Sequence, residues 1–192
     1  MKALAINGSP RAGGNTEQLI RLVFTELEAE GIETELVRIG GQPVRGCVAC
    51  FKCQQLKRCV IDSDPVNSII DKMKACDALI LGSPVYFSDV TSEMKALIDR
   101  AGLVLRTCDF PLRRKAAAGL VAVRRGGEMH ALDTLAHFLH YQQTFQVGSS
   151  YWNFAFGRNP GEITQDEEGV NTMKNLGRNL AWLMKRLEAS PQ

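Results

Sequence analysis

The feature that most constrains this chain is an alternation. Short apolar runs are followed by a loop and then by a stretch with helical spacing. "KALAIN" (2–7), "IETELVRI" (32–39), "DALILG" (77–82), "AAAGLVAV" (116–123) and "TFQVGSSYWNFAF" (144–156, continued past Gly148) read as strands. The third and fourth are unbroken apolar runs, as expected of strands covered on both faces. Between and after them lie predicted helices over 15–30, 64–76, 92–105, 128–142 and 166–187. Their apolar residues recur at helical intervals, for example Met94, Leu97, Ile98 and Ala101. Asp64 reads as an N-cap with Pro65 at the first helical position. Five β–α alternations predict an α/β fold, a parallel sheet with helices on both faces built by right-handed crossovers. With 192 residues, 45% of them hydrophobic, the chain fits one domain over 1–192. The one irregular insertion spans 40–63, between the second strand and the second helix.

In an open α/β sheet, ligands bind outside the carboxyl ends of the strands, so the loops after the strands carry the chemistry. The first, "NGSPRAGGNT" (7–16), offers Gly8, Gly13 and Gly14 for close backbone approach. It also offers Ser9, Asn15 and Thr16 as donors and Arg11 as a cation. Next to a helix N-terminus these residues suit a phosphate. The loop lacks a Gly-Lys-Ser/Thr ending and the dinucleotide glycine spacing, which leaves a mononucleotide-type phosphate loop. The alternative is a plain glycine-rich turn. The second loop, "GSPVYFSDVTSEMK" (82–95), puts Tyr86 and Phe87 beside the strand end, where they can flank a planar ring or simply pack in a core. The third, "RRGGE" (124–128), adds two arginines and an adjacent glycine pair, or forms a simple turn before a helix.

Four of the six cysteines crowd into the insertion as C-x2-C-x2-C-x5-C: Cys47, Cys50, Cys53 and Cys59. The N-terminal apolar run is too short for a secretory leader, and no stretch approaches a membrane span. The sequence therefore reads as cytoplasmic, where clustered cysteines favour metal or redox chemistry. A net charge of +2 argues against nucleic acid as partner. Three readings of the cysteines stand. A cubane needs four converging thiolates. A four-cysteine zinc site normally uses two separated hairpins, which this compact run fits poorly. A disulfide relay is open to the two C-x2-C pairs.

Together, "GSPRAGGNT", "GSPVYFSDVTSEMKALIDR" and "RRGG" resemble the flavodoxin-like NAD(P)H-dependent FMN reductase family, over essentially the whole chain. The resemblance implies a five-stranded parallel sheet in the order 2-1-3-4-5 and FMN as cofactor. By position, Ser9, Arg11, Asn15 and Thr16 match its phosphate loop. Pro84, Val85, Tyr86, Phe87 and Ser88 match the segment along the flavin ring, and Gly126 and Gly127 match a third ring-contacting loop. "CVACFKCQQLKRC" is similar to the cysteine motif of the iron–sulfur flavoprotein branch, which implies one 4Fe–4S cluster on Cys47, Cys50, Cys53 and Cys59. Further implied are a ferredoxin-like or NAD(P)H electron donor, a small-molecule acceptor, and a homodimer or homotetramer. A cluster-free FMN or quinone reductase and a redox sensor or carrier without turnover are the competing functions. No side chain stands out as a catalytic acid or base.

Other residues read more plainly. Cys76 and Cys108 are expected as buried fillers, and His137 and His140 as surface or packing residues. Lys52, Lys57 and Arg58 can offset cluster charge, steer an acidic partner, or be ordinary solvated side chains. Tyr151, Trp152, Phe154 and Phe156 are candidates for an interface or for edge packing.

Overall fold

A computed structural model describes residues 1–189. β1 (Lys2–Asn7), β2 (Glu33–Arg38), β3 (Ala78–Pro84), β4 (Ala116–Val123) and β5 (Phe145–Gln146) form a parallel sheet in the order β2-β1-β3-β4-β5. The helices are α1 (Asn15–Ala29), the short α2 (Cys53–Leu56), α3 (Val66–Ala75), α4 (Ser92–Thr107), α5 (Glu128–Tyr141) and α6 (Glu167–Glu188).

The period-two alternation of the strands sorts the core into two layers. Leu4, Ile6, Leu79, Leu81 and Val121 point to one face, where α3, α4 and α5 supply Ile69, Met73, Leu97, Val104 and Leu135. Ala3, Ala5, Ala78, Ile80, Ala116 and Ala118 point to the other, covered by Leu19, Val23, Leu176 and Leu180 of α1 and α6. Fully burying one of these leucines or isoleucines stabilises the fold by roughly 1.5–3 kcal/mol.

The fifth predicted strand differs from expectation. Instead of one run over 144–156, the chain pairs with β4 twice, at β5 and again at β6 (Phe154–Phe156). Between them Asn153 Nδ2 donates to Gly119 O (3.1 Å) and Val147 O (3.4 Å), occupying the edge where ladder bonds would form. The Gly148-Ser149-Ser150 stretch bends here. Asp64 also does more than expected. The N-cap position of α3 falls on Pro65, one residue later than expected; Asp64 before it accepts from Val66 N at 3.2 Å, and its main partner lies on α4.

Cys76 is buried, and burial pushes its thiol up to about 11. Cys108 is only half-buried, with its thiol 3.5 Å from Lys57 O. His137 and His140 are exposed. Tyr151, Trp152 and Phe156 are exposed; Tyr151 and Phe156 meet buried Phe154 edge-on and Trp152 meets Tyr151, so this quartet divides between surface and edge packing. Among the described residues, no helix is long and apolar enough to cross a membrane.

Candidate functional site

The loop after β1 is shaped by its own polar groups. Buried Asn7 accepts from Ser9 N (2.8 Å) through Oδ1, and Ser9 Oγ accepts from Arg11 N (3.3 Å). Thr91, the side-chain cap of α4, donates to Gly8 O at 2.9 Å and ties the loop to the next strand's turn. α1 then begins at Gly14 with no side-chain cap, so its first N–H groups face outward. In that first turn the Thr16 hydroxyl is buried with no hydrogen-bond partner. An orphaned donor at an uncapped helix start, in a phosphate-type loop, is what a phosphate would satisfy.

Ser9, Arg11, Asn15, Thr16, Pro84, Val85 and Tyr86 line one cleft of about 370 Å³ at the carboxyl ends of β1, β3 and β4. The lining includes three arginines and no carboxylate, so the cleft favours anions. Arg124 belongs to the third loop that the sequence points to, whereas Arg158 and the flanking Gly157 and Pro160 were not among the expected site residues. Their signal was legible, since "GRNPG" follows the last strand as "GSPRAGG" follows the first. Asn15 is already engaged. Its Oδ1 accepts from Gly161 N at 3.0 Å and latches this last loop onto the first.

Phe87, Ser88, Gly126 and Gly127 do not line the cleft. Tyr86 and Asp89 exchange backbone bonds (2.8 and 3.0 Å) across Phe87 and Ser88, whose φ values are 48° and 64°. This is a tight turn with both central residues left-handed, a geometry that normally selects Asn-Gly. Phe87 at its tip is fully exposed. Gly127, at φ 90°, packs under this turn, and a Cβ there would lie 2.8 Å from Ser88 Cα. The third loop thus supports the second from below. Gly126 has open space around it.

The cysteine insertion leaves β2 pressed on the phosphate loop. A Cβ on Gly40 would lie 2.3 Å from Gly8 O. Beyond it, Cys47, Cys50, Cys53 and Cys59 line a single pocket with Val48, Phe51, Val60, Ile61, Leu103 and Val104. Cys47 and Cys50 are exposed, Cys59 half-buried and Cys53 buried. Burial pushes the Cys53 thiol up, and negative charge on Cys50, Cys59 and Cys47 pushes the same way. Among the described residues, no three His, Cys, Asp or Glu side chains converge as a single metal ion requires. Ala49 and Phe51 have φ of 50° and 56°, and Lys52, next to Phe51, has φ −60°. Alternating hands of this kind turn successive N–H groups toward one side, as in anion and iron–sulfur nests. None of the N–H groups of 46–52 donates a hydrogen bond within the described residues.

The ends of this loop are fixed by buried side chains that sequence reading missed. Arg100 on α4 is 1% exposed. Its guanidinium donates to Asp64 Oδ2 (2.5 Å), Arg45 O (3.0 Å), Ile61 O (2.8 Å) and Cys59 Sγ (3.2 Å). Asn67 on α3 accepts from Cys59 N (2.9 Å) and donates to Cys59 O (3.0 Å). The clue to Arg100 was positional. It sits three residues beyond Leu97, on the apolar stripe of its helix. Of the flanking cations, Lys57 donates to Thr107 O (2.7 Å), Arg58 pairs with Asp62 (2.6 Å), and Lys52 is exposed.

Residues 1–159 match the family described as NADPH-dependent FMN reductase. An iron–sulfur flavoprotein of Methanocaldococcus jannaschii is 35% identical over 98% of this chain and 100% of its own length. Among solved structures, RosB with a bound 8-demethyl-8-formylriboflavin-5'-phosphate intermediate superposes with a TM-score of 0.71 at 22% identity. That match covers 100% of this chain and 82% of RosB. An archaeal flavodoxin superposes with a TM-score of 0.63 at 14% identity, over 96% and 99% of the two chains. The sheet order and these two likenesses make the fold flavodoxin-like. The chain belongs to the NADPH-dependent FMN reductase family, on the side of its iron–sulfur flavoproteins, and is an FMN-dependent oxidoreductase.

Proposed function

We propose that the protein passes electrons between a 4Fe–4S cluster on Cys47, Cys50, Cys53 and Cys59 and FMN in the adjoining cleft, for the reduction of a small-molecule acceptor. The observation that supports this reading is that all four insertion cysteines line one largely apolar pocket, with Arg100 in its wall. Cluster thiolates attach to different irons, so four cysteines lining one pocket suit a polynuclear centre better than a single ion. The left-handed backbone and free N–H groups between the cysteines suit its negative charge.

In the cleft, Ser9, Thr16 and the open N–H groups of α1 hold the phosphate, with Arg11 and Arg158 adding charge. Asn15 fixes the loop that carries Arg158. Pro84, Val85 and Tyr86 lie along the flavin ring. Phe87, Ser88, Gly126 and Gly127 set the height and stiffness of the rim. When bound, the cluster supplies electrons singly and FMN supplies them in ones or twos. Two single-electron deliveries and two protons from water balance the two-electron reduction of an acceptor. The donor is a ferredoxin-like protein or NAD(P)H, the assembly a homodimer or homotetramer, and the compartment the cytoplasm.

The test is purification without oxygen, followed by a visible spectrum and iron and sulfide assays. Flavin bands with a broad brown shoulder and about four irons per chain support the proposal. Flavin alone replaces it with a cluster-free reductase. Cys53→Ser is expected to lose the iron and keep the flavin; unchanged iron content would show that the ligands are wrong.

A further inference from the structure

We infer that Arg100 is a positioning residue for the fourth cysteine and raises the reduction potential of the cluster. The inference rests on the cluster reading above. Arg100 is charged at any working pH, yet it lies fully within the protein. Such burial is sustained only by dense pairing, and here the partners describe a task. Two of its bonds close the insertion, at Arg45 O before the first cysteine and at Ile61 O after the last. A third neutralises it against Asp64. The Nε–H is left for the sulfur of Cys59, at 3.2 Å.

Cys59 is separated from the tight C-x2-C-x2-C run by five residues and needs outside help to return to the pocket. Asn67 fixes its backbone on both sides, and Arg100 fixes its sulfur. A cationic N–H on a ligating thiolate also acts on redox energy. Each electron that enters the cluster adds negative charge to its sulfurs, strengthens this bond and favours the reduced form. Asp64, on the far side of the guanidinium, works against the same effect. No bond is made or broken; one electron from an external reductant is gained.

Two measurements test this on the intact, iron-loaded protein. The first labels it with 15N-arginine, reduces it with dithionite and records pulsed EPR. A 15N coupling to the reduced cluster is expected, and it should vanish in Arg100→Lys. The second is a dye-mediated redox titration. Arg100→Lys is expected to lower the reduced-to-oxidised ratio of the cluster at fixed potential about tenfold, a midpoint shift of about 59 mV for one electron. Asp64→Asn is expected to shift it the opposite way. The midpoint of FMN should stay unchanged in both. Opposite signs distinguish tuning through the Nε–H bond to sulfur and its Asp64 counter-charge from a loosened loop, which would move both variants alike. Shifts of the same sign, or no coupling in the unaltered protein, would overturn the inference. If a variant fails to fold, the coupling in the unaltered protein decides. Flavin without iron in the unaltered protein would instead remove the cluster reading, and this inference with it.

Discussion

The two halves of the cofactor side are built by opposite means. The cleft at the strand ends is shaped mainly by the elements that surround it. The ends of β1, β3 and β4, the start of α1 and a glycine-supported turn shape it, and bonds made by Asn7, Ser9, Thr91 and Asn15 hold its loops. The cysteine insertion has almost no backbone bonding between Gly46 and Lys52 and is held at its ends by two buried side chains, Arg100 and Asn67, with Thr107 donating to Cys53 O and accepting from Lys57. A loop of the first kind is specified by the strand and helix that it joins. A loop of the second kind depends on a few distant residues and on whatever fills it. The first half should therefore survive single substitutions in its loops, and the second should not survive loss of its anchor.

The sharpest way to break this contrast is Arg100→Ala. It leaves Asp64 buried and unpaired and frees both ends of the insertion. Removing one member of a buried pair costs about 3–5 kcal/mol, read by urea denaturation. A loss below about 1 kcal/mol would mean that the insertion is anchored elsewhere. Acid probes the same pair. Burial would raise the Asp64 carboxyl, but the Arg100 bond and the N–H groups of Arg45 and Val66 outweigh it and hold it below its usual 3.8. A carboxyl lowered by folding contributes stability that is fully present above its unfolded pKa and lost as pH falls through the folded value. Stability should therefore fall below about pH 4, and Asp64→Asn should lose part of that slope. An unchanged slope in the variant would assign the acid sensitivity to Asp62, Glu35, Glu30 or Glu162, which are lowered as well.

The same contrast governs what was legible in the sequence. Strands, helices and the phosphate loop leave local marks, namely unbroken apolar runs, helical spacing and a glycine-rich stretch at a strand end. Those marks predicted the element order, a parallel sheet and Ser9, Arg11, Asn15, Thr16 and Tyr86 of the cleft, while the strand order, Pro84 and Val85 came with the family resemblance. The cysteine motif was equally visible. What holds it was not, because Arg100 lies 41 residues from Cys59 and its role follows only from packing. The break in the last strand was hidden for a similar reason. Asn153 reaches across to Gly119 O, and no local pattern announces an edge taken by a side chain. Arg158 was hidden by the same break although its loop was readable, because the split of the last strand obscures which residues stand at its carboxyl end.

Within the cleft, Thr16→Val separates ligand binding from folding. The hydroxyl is buried and unpartnered in the protein alone. Replacing it with a methyl of the same shape should leave the flavin-free protein as stable or more stable. FMN should bind about 10- to 100-fold more weakly, the loss of one phosphate bond of about 1.4–2.8 kcal/mol. Flavin-fluorescence titration and thermal melts of the apoprotein measure the two effects. A destabilised apoprotein would show that the hydroxyl supports the loop and is not held for a ligand.

The smallest expected effect lies at the rim. Phe87 and Ser88 hold left-handed backbone that costs each roughly 1 kcal/mol or more, and Phe87 recovers nothing by burial because its side chain is fully exposed. Replacing the pair with Asn-Gly, the residues that this turn prefers, should stabilise the chain by about 1 kcal/mol, a rise of about 2–4 °C in Tm for a protein of this size. Strain retained at a binding rim against a simple remedy points to a task for the side chain that bears it. The Asn-Gly variant should therefore melt higher while releasing FMN faster, in a melt and a flavin-dissociation assay run side by side. Higher stability with unchanged release would leave the turn as a tolerated irregularity. It would also confine the working part of the rim to Tyr86, whose ring lines the cleft.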